Sequence, residues 1–536
     1  MDNKLAARYR LWRRMRLWTP IAASVCVVIG IAIGVMLARV EMPENNYSSV
    51  IGDRDASKLQ DVIRLISTSY ADEVRVDSLT EMGIVGLLRG LDPHSVYINT
   101  EETRRVNEEM AGSFSGIGVQ FDILEDTVRV VAVIHGGPSE RAGLQPGDRI
   151  VTVDDSVFTG PEIDERKVMK TLRGEKGTKA RLGIMRGGDK EVYTYEIIRG
   201  DVVTKSIGCY YMADRTTGYV KVHEFTATTY QEFLTAINIL KKRGARRFVI
   251  DLRDNPGGYL DAVTAMANEF LDEDEMIVYA EGQHYPRYEY RADGQGICKD
   301  AEVKVLVNEF SASASEIFAA AIQDNDRGEV IGRRTFGKGL VQQQFPLADG
   351  SAVRLTVAHF YSPSGRCIQK PYTRGRVADY EKEVFDRFNN GELTDSTKRE
   401  TEEDTTNVYH TKGGRVVHGG GGVTPDVFVA RDTSYWSRWM SEVNNKGMIV
   451  DYAYLYADEH RGMDCHEVDG EELLKGFVAY VKGKGVETRK EDVARSGATV
   501  KRLLRAYVTR SLSQDEAEFY KIFNEGDAAI AVALKR

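Results

Sequence analysis

The chain has 536 residues, with 72 lysines and arginines against 81 aspartates and glutamates, a net charge of −9. That length holds several domains, and a hydrophobic content of 42% is enough for ordinary cores, which excludes wholesale disorder. The acidic balance argues against a nucleic-acid partner, and five cysteines without a CxxC pair exclude a disulfide scaffold and argue against a structural zinc site.

Residues 1–16 form a basic tail: Lys4, Arg8, Arg10, Arg13, Arg14 and Arg16 face a single acid, Asp2. From Leu17 to Ala38 nothing is charged. At 1.5 Å per residue that run spans a hydrocarbon core of ~30 Å. The basic flank stays in the cytoplasm, so everything after Arg39 lies outside the inner membrane. A cleaved signal peptide is the rival reading, but it needs a shorter apolar core and a better site than Val35-Met36-Leu37-Ala38. The expectation is an uncleaved single-pass signal anchor over 17–38 with a periplasmic remainder.

Residues 39–112 read as helical. Leu59, Val62, Ile63, Ile66 and Tyr70 recur at helical spacing, and a second run, Leu79 to Leu91, stops at Leu91-Asp92-Pro93-His94. Over 113–200, short β-branched runs such as Val128-Arg129-Val130-Val131 alternate with glycine turns, which predicts a small β-rich domain. Residues 201–371 alternate strand and helix: strands at Phe248–Leu252 and Val303–Val307, helices at Leu260–Phe270 and Glu316–Ile322. That order predicts a layered α/β core. Within 372–432, the polar stretch 372–410, with Thr401-Glu402-Glu403-Asp404, reads as a mobile insertion. Residues 433–536 return to a helical pattern, as in Leu503, Leu504, Tyr507 and Val508. The fold class is therefore mixed, α/β and α+β, with several domains.

Two motifs fail on inspection. Gly332 to Gly339 nearly spells a phosphate-binding loop, but Gly339 stands where a hydroxyl must hold magnesium, and an extended run follows instead of a helix. His418-Gly419-Gly420-Gly421-Gly422 resembles an esterase oxyanion loop, but no GxSxG elbow accompanies it. Three other segments carry chemistry. Ser311-Ala312-Ser313-Ala314-Ser315-Glu316 follows a strand and opens a helix. Serines there cap helices, with Glu316 supporting the first turn, yet a hydroxyl at a helix start is also placed for attack, where free amides stabilise negative charge. Serine needs a base. Lys338, between Gly337 and Gly339, can supply one if burial favours its neutral form. Asp251 to Gly258 is a strand ending in a glycine turn, able to aim amides at a carbonyl.

Together these residues resemble the carboxyl-terminal processing, tail-specific serine proteases of peptidase family S41. The likeness covers most of 56–430. Leu91–Tyr97 and Gly112–Val119 are similar to the family's entry motifs, Ser311–Ile317 to its nucleophile loop and Thr335–Gln342 to its lysine loop. The resemblance implies a crotonase/ClpP-like protease core with Ser313 as nucleophile, Lys338 as general base and Gln342 orienting Lys338. The oxyanion hole would use the amide of Ala314 and one from Gly257 or Gly258. It implies no metal and no organic cofactor. It also names the β-rich segment as a PDZ domain, in which Gly116, Ile117, Gly118 and Val119 would present amides to a terminal carboxylate while a strand edge pairs with the peptide. The implied partners are protein substrates with unstructured apolar C-termini. Whether the tail 433–536 packs on the protease, makes a homodimer or receives an adaptor stays open. His359, where relatives often differ, is expected to be structural.

Two other readings compete. One is an anchored, catalytically inactive PDZ scaffold, against which the intact Ser313, Lys338 and Gln342 set argues. The other is a crotonase-like acyl-CoA enzyme, against which the anchor and the PDZ segment argue.

Overall fold

The computed structural model describes residues 53–124, 126–186, 191–398 and 407–535. The expected anchor over 17–38 lies outside them, and no described helix is long and apolar enough to cross a membrane. The chain divides into two units, Met1–Ile84 and Val85–Arg536. In the first, the helical spacing of Leu59, Val62, Ile63 and Ile66 produces the helix Asp53–Ser69.

The centre of the second unit is a sheet of six described strands. In spatial order they are Ile207–Met212, Thr217–Val222, Arg247–Asp251, Glu302–Val307, Glu329–Gly332 and Val427–Phe428. The first pair is antiparallel and the remaining pairs are parallel. Alternation along each strand divides its side chains between two cores. Phe248, Ile250, Val303, Val305 and Val307 face one way, onto helices Thr229–Lys242, Leu260–Asn268 and Ala314–Asp324. Val249, Leu306 and Ile331 face the other way, onto Ala529, Ile530 and Ala533 of the helix Ala528–Leu534. Strands covered on both faces read as continuous apolar runs, which is why Phe248–Ile250 lacks a polar alternation.

The C-terminal region therefore packs on this α/β core. Arg253 Nη1 meets Asp527 Oδ2 at 2.6 Å, and Asn524 Nδ2 donates to Tyr211 Oη at 3.0 Å. Its long helices enclose their own core around Trp439, Phe477 and Leu504. They also reach the β-rich domain: Arg510 Nη2 lies 3.5 Å from Gln120 Oε1, and Arg129 lies 4.0 Å from Asp458.

In the β-rich domain the strand order places Val119–Leu124 at an edge, paired among the described residues with Thr127–Val133. The core behind it is Val128, Val130, Ile150, Leu182 and Ile184 with Val168 and Leu172 of the helix Glu165–Leu172. The strands Ser113–Gly116 and Gly200–Val203 pair with each other and close the domain where the chain enters and leaves it.

The mobile insertion expected over 372–410 is corrected. Residues 377–389 form a helix that buries Tyr380, Val384 and Arg387. On its inner side the charges are paired: Lys370 with Glu383 at 2.8 Å, Arg334 with Glu392 at 2.7 Å, and Arg387 with Glu392 at 3.1 Å, whereas Asp379, Glu381 and Lys382 are exposed. The polar composition reflects buried ion pairs that pin this helix to the loop before Lys338, a distinction that composition cannot make. Thr401 to Asp404 lies outside the described residues.

Candidate active site

The strand Glu302–Val307 runs into a turn that ends at Ser313, the residue before the helix Ala314–Asp324. The three serines of this turn have different surroundings. Ser311 Oγ donates to Leu252 O at 2.8 Å and accepts the Asn308 amide at 2.9 Å. Ser315 Oγ donates to Asn255 O at 3.0 Å. Both are fully buried, whereas Ser313 is half-buried. Ser313 also has φ +55° and ψ −113°, a conformation costly for a residue with a Cβ. The outer serines hold the turn, and the middle one is presented by it.

The glycine turn after the strand Arg247–Asp251 lies against this loop. A Cβ on Gly257 would come within 2.7 Å of Ser313 Cβ and 3.0 Å of Ala314 N, and one on Gly258 within 2.0 Å of Phe225 O. Only glycine permits this approach, at φ +108° and +139°. Asn255 sews the two segments together: its carbonyl accepts the Ala312 amide at 3.0 Å, and its Oδ1 accepts the Gly257 amide at 2.9 Å. The Gly257 amide is thus occupied. Among the described residues, the amides of Gly258 and Ala314 make no hydrogen bond. A helix start leaves its first amides without internal partners, and here one of them belongs to a buried residue.

Glu316 does more than support the helix turn. It is fully buried. Its Oε2 accepts the amides of Ser313 at 2.9 Å and Lys338 at 2.8 Å. Its Oε1 accepts the Gly337 amide at 2.7 Å and the Thr335 hydroxyl at 2.5 Å. Burial pushes its pKa up, and these four bonds pull the other way. Four donors on two oxygens suit the ionised form, which only accepts. One carboxylate therefore ties the serine loop to the lysine loop across 22 positions of sequence.

The Lys338 Nζ takes part in no hydrogen bond or ion pair among the described residues. Burial holds its ammonium below the usual lysine range and Arg354 acts in the same sense, while the charges of Glu316 and Asp92 oppose them. A half-buried amine without a partner, its pKa depressed, is what a lysine base requires.

Gln342 is bonded to the segment before the serine and lysine loops. Its Nε2 donates to the carbonyl of His94 at 2.6 Å, and no bond joins it to Lys338 among the described residues. The strand Leu340–Pro346 shifts register between Val341 and Gln342, a bulge that re-aims the side chain. The bond exposes a segment that sequence reading treated only as a helix stop and entry motif. Asp92 is buried and accepts the His94 amide at 2.8 Å, the Ser95 amide at 2.9 Å and the Thr356 hydroxyl at 3.0 Å. His94 Nε2 lies 3.0 Å from Tyr380 Oη. Asp92 and His94 both act electrostatically with Lys338. The signal that could have found them is an acid and a histidine flanking a proline in an otherwise apolar run. His359 lies mid-strand, opposite Leu340 and Glu281.

Burial, with Lys338 and Lys370, pushes His94 down to about 4, and burial and Lys221 push His223 to the same value. In the unfolded chain both titrate near ~6.5. Between these values the unfolded state binds more protons, so stability present above pH ~6.5 is lost as pH falls towards ~4. The expected loss is on the order of 2–3 kcal/mol per histidine. Urea midpoints across this window check it, and His223→Gln should flatten the slope. An unchanged slope would remove His223 from the account.

In the β-rich domain, the amide of Gly118 makes no hydrogen bond among the described residues, and that of Ile117 adjoins the bridge between Gly116 and Arg173. They lie between Gly116 and Val119, beside the edge strand. A free amide next to an unpaired strand edge can take a carboxylate and the chain that leads to it.

A strained serine at a helix start, a half-buried lysine amine with no partner among the described residues, and free amides in the two adjoining turns are the parts of an acyl-transfer hydrolase. The family model for peptidase family S41 matches residues 216–381, and the model for a PDZ domain matches residues 115–197. A probable CtpA-like serine protease of Staphylococcus haemolyticus is 33% identical over 360 residues, which are 66% of this chain and 71% of that protein. The carboxy-terminal processing protease CtpA of Bacillus subtilis is 33% identical over 347 residues, 62% of this chain and 73% of that one. Among solved structures, the photosystem II D1 C-terminal processing protease is 25% identical and covers 71% of this chain and 94% of its own, with a TM-score of 0.37. The chain belongs to peptidase family S41, as a carboxy-terminal processing serine protease that carries a PDZ domain.

Proposed function

We propose that this chain cleaves the tails of extracytoplasmic proteins by a serine–lysine mechanism. The carrying observation is the Glu316 carboxylate, which binds the backbones of Ser313 and Lys338 together while the half-buried lysine amine has no partner among the described residues and a lowered pKa. The Gly118 amide receives the substrate's terminal carboxylate, and the edge strand Val119–Leu124 pairs with the tail. Neutral Lys338 takes the proton from Ser313 Oγ as the oxygen attacks the scissile carbonyl. The Gly258 and Ala314 amides hold the oxyanion; Gly257 is the poorer choice because its amide already serves Asn255. The protonated lysine gives its proton to the leaving amine, and water then releases the acyl group. Gln342 acts at one remove, by holding the His94 segment beside Lys338. The extracytoplasmic location rests on the basic tail and the uncharged run 17–38.

The test is an unfolded protein with an apolar C-terminus, supplied with a free carboxylate or as the C-terminal amide, with cleavage followed by mass spectrometry. The free form should be cut at least about 10-fold faster at limiting substrate, because a charge-assisted bond to that amide is worth about 1.5–3 kcal/mol. Ser313→Ala should cut neither. Equal rates for the two forms would remove the carboxylate from recognition, and cleavage surviving Ser313→Ala would sink the mechanism.

A further inference from the structure

Beside the two catalytic loops lies a cavity of about 570 Å3 that the mechanism above does not use. Its walls are Phe310, Phe336, Val384, Phe385, Phe388 and Trp436. Four of these are large and open to solvent: Phe385 is 70% exposed, Phe310 49%, Phe388 47% and Trp436 41%. Exposed aromatics scattered singly need no explanation, but four around one concavity mark an interaction site.

The placement of the walls says what the cavity can hold. Phe310 is three residues before Ser313 and Phe336 two before Lys338, so their Cα atoms lie at most about 11 Å and about 7 Å from those of the catalytic pair. The Phe336 amide donates to Ser311 O at 3.0 Å, which joins the two walls directly. An extended peptide advances about 3.3 Å per residue, so side chains within about three residues of a bond held at Ser313 reach this space. The exposed rim carries Glu381 and Asp432 against Arg431, while Glu309 is buried beneath it. Arg431 is itself 3.5 Å from Glu309, which Arg333 also pairs at 2.7 Å. An acidic rim repels anionic lipid headgroups and a terminal carboxylate, and it accepts the interior of a polypeptide.

We propose that this cavity is a substrate subsite for bulky apolar side chains, aromatic or branched aliphatic, within about three residues of the scissile bond. It rests on the serine–lysine reading of the neighbouring site. The helix Val377–Asn389 contributes its outer wall, so the insertion shapes specificity. The same helix is clamped to the lysine loop, with Lys370 Nζ 3.9 Å from the Phe336 ring centroid and 4.2 Å from that of Tyr380.

Two unstructured polypeptides test this. Both end in the same free apolar tail, and they differ only in a central block, Leu-Phe-Leu in one and Ser-Gly-Ser in the other. The full chain should cut the first with a kcat/KM about 10-fold or more higher. Phe385→Ser with Phe388→Ser should bring that ratio close to one. Both side chains are exposed, so the fold survives, as thermal melting will verify. Independently of cleavage, the Ser313→Ala chain titrated with the Leu-Phe-Leu polypeptide should show an emission shift that Trp436→Phe removes. A preference unchanged in the double variant overturns the subsite, as does an emission unchanged by the polypeptide. A double variant that sediments as a smaller species than its parent would assign the face to a second copy and also overturn it. If the emission shifts but no form cleaves, the peptidase mechanism fails and the cavity's ligand class stands.

Discussion

Replacing Lys338 by alanine is expected to abolish peptide-bond cleavage, by roughly 10^4-fold or more in kcat, while the protein stays folded. The side chain makes no bond that its loss would leave unsatisfied, so stability should be unchanged or raised. Lys338→Arg should be equally inactive, because a guanidinium does not give up its proton in this range. The parent should show kcat/KM rising with pH through a pKa below the ordinary lysine value of about 10.4, since burial and Arg354 favour the neutral amine that the reaction uses. Activity is lost as pH falls through that pKa, the sign of a group that works deprotonated. Steady-state rates across pH would check this, and parental kcat in Lys338→Ala would end the assignment.

The second large effect is expected from Glu316→Gln. An amide offers one acceptor oxygen where the carboxylate offers two, and its NH2 would face two of the four donors now satisfied. The expected cost is about 2–3 kcal/mol of stability and roughly 10^2-fold in kcat, because the serine and lysine loops lose their common anchor. Removing the charge should also lower the Lys338 pKa further, since Glu316 raises it, and the acid limb of the rate profile should move to lower pH. The other charged or titratable neighbours, Asp92, His94, Arg354, Lys370 and Tyr380, remain in place in that variant. A fall in stability with the limb unmoved would make Glu316 a packing residue alone. Urea denaturation and rate profiles on the same preparation separate the two.

Residue patterns made much of this legible. The apolar run Phe248–Ile250, the alternation of strand and helix, and the serine turn before a helix all have local causes: period, capping and glycine. Each recurs in the structure within a few residues of its expected bounds. Gln342 shows where this ends. Its direction depends on a bulge in a strand pair, a non-local event, and its partner His94 is 248 positions away. Glu316 looked like a helix cap because only one of its four donors lies nearby in sequence. The charged insertion looked solvated because pairing between Arg334, Lys370, Arg387 and Glu383, Glu392 is invisible to composition.

The sequence by itself therefore determined the elements and the kinds of chemistry: the uncharged N-terminal run, the β-rich domain, the layered core, a serine at a helix start and a lysine between two glycines. Periodicity and turn chemistry act over a few residues, so they can be read from a few residues. Tertiary structure alone decided which amides stay free, which carboxylate joins the two loops, where the C-terminal helices pack, and that an apolar cavity opens beside the lysine loop. These depend on burial and on long-range partners, because a group's hydrogen bonds and its pKa are set by what surrounds it after the chain has closed.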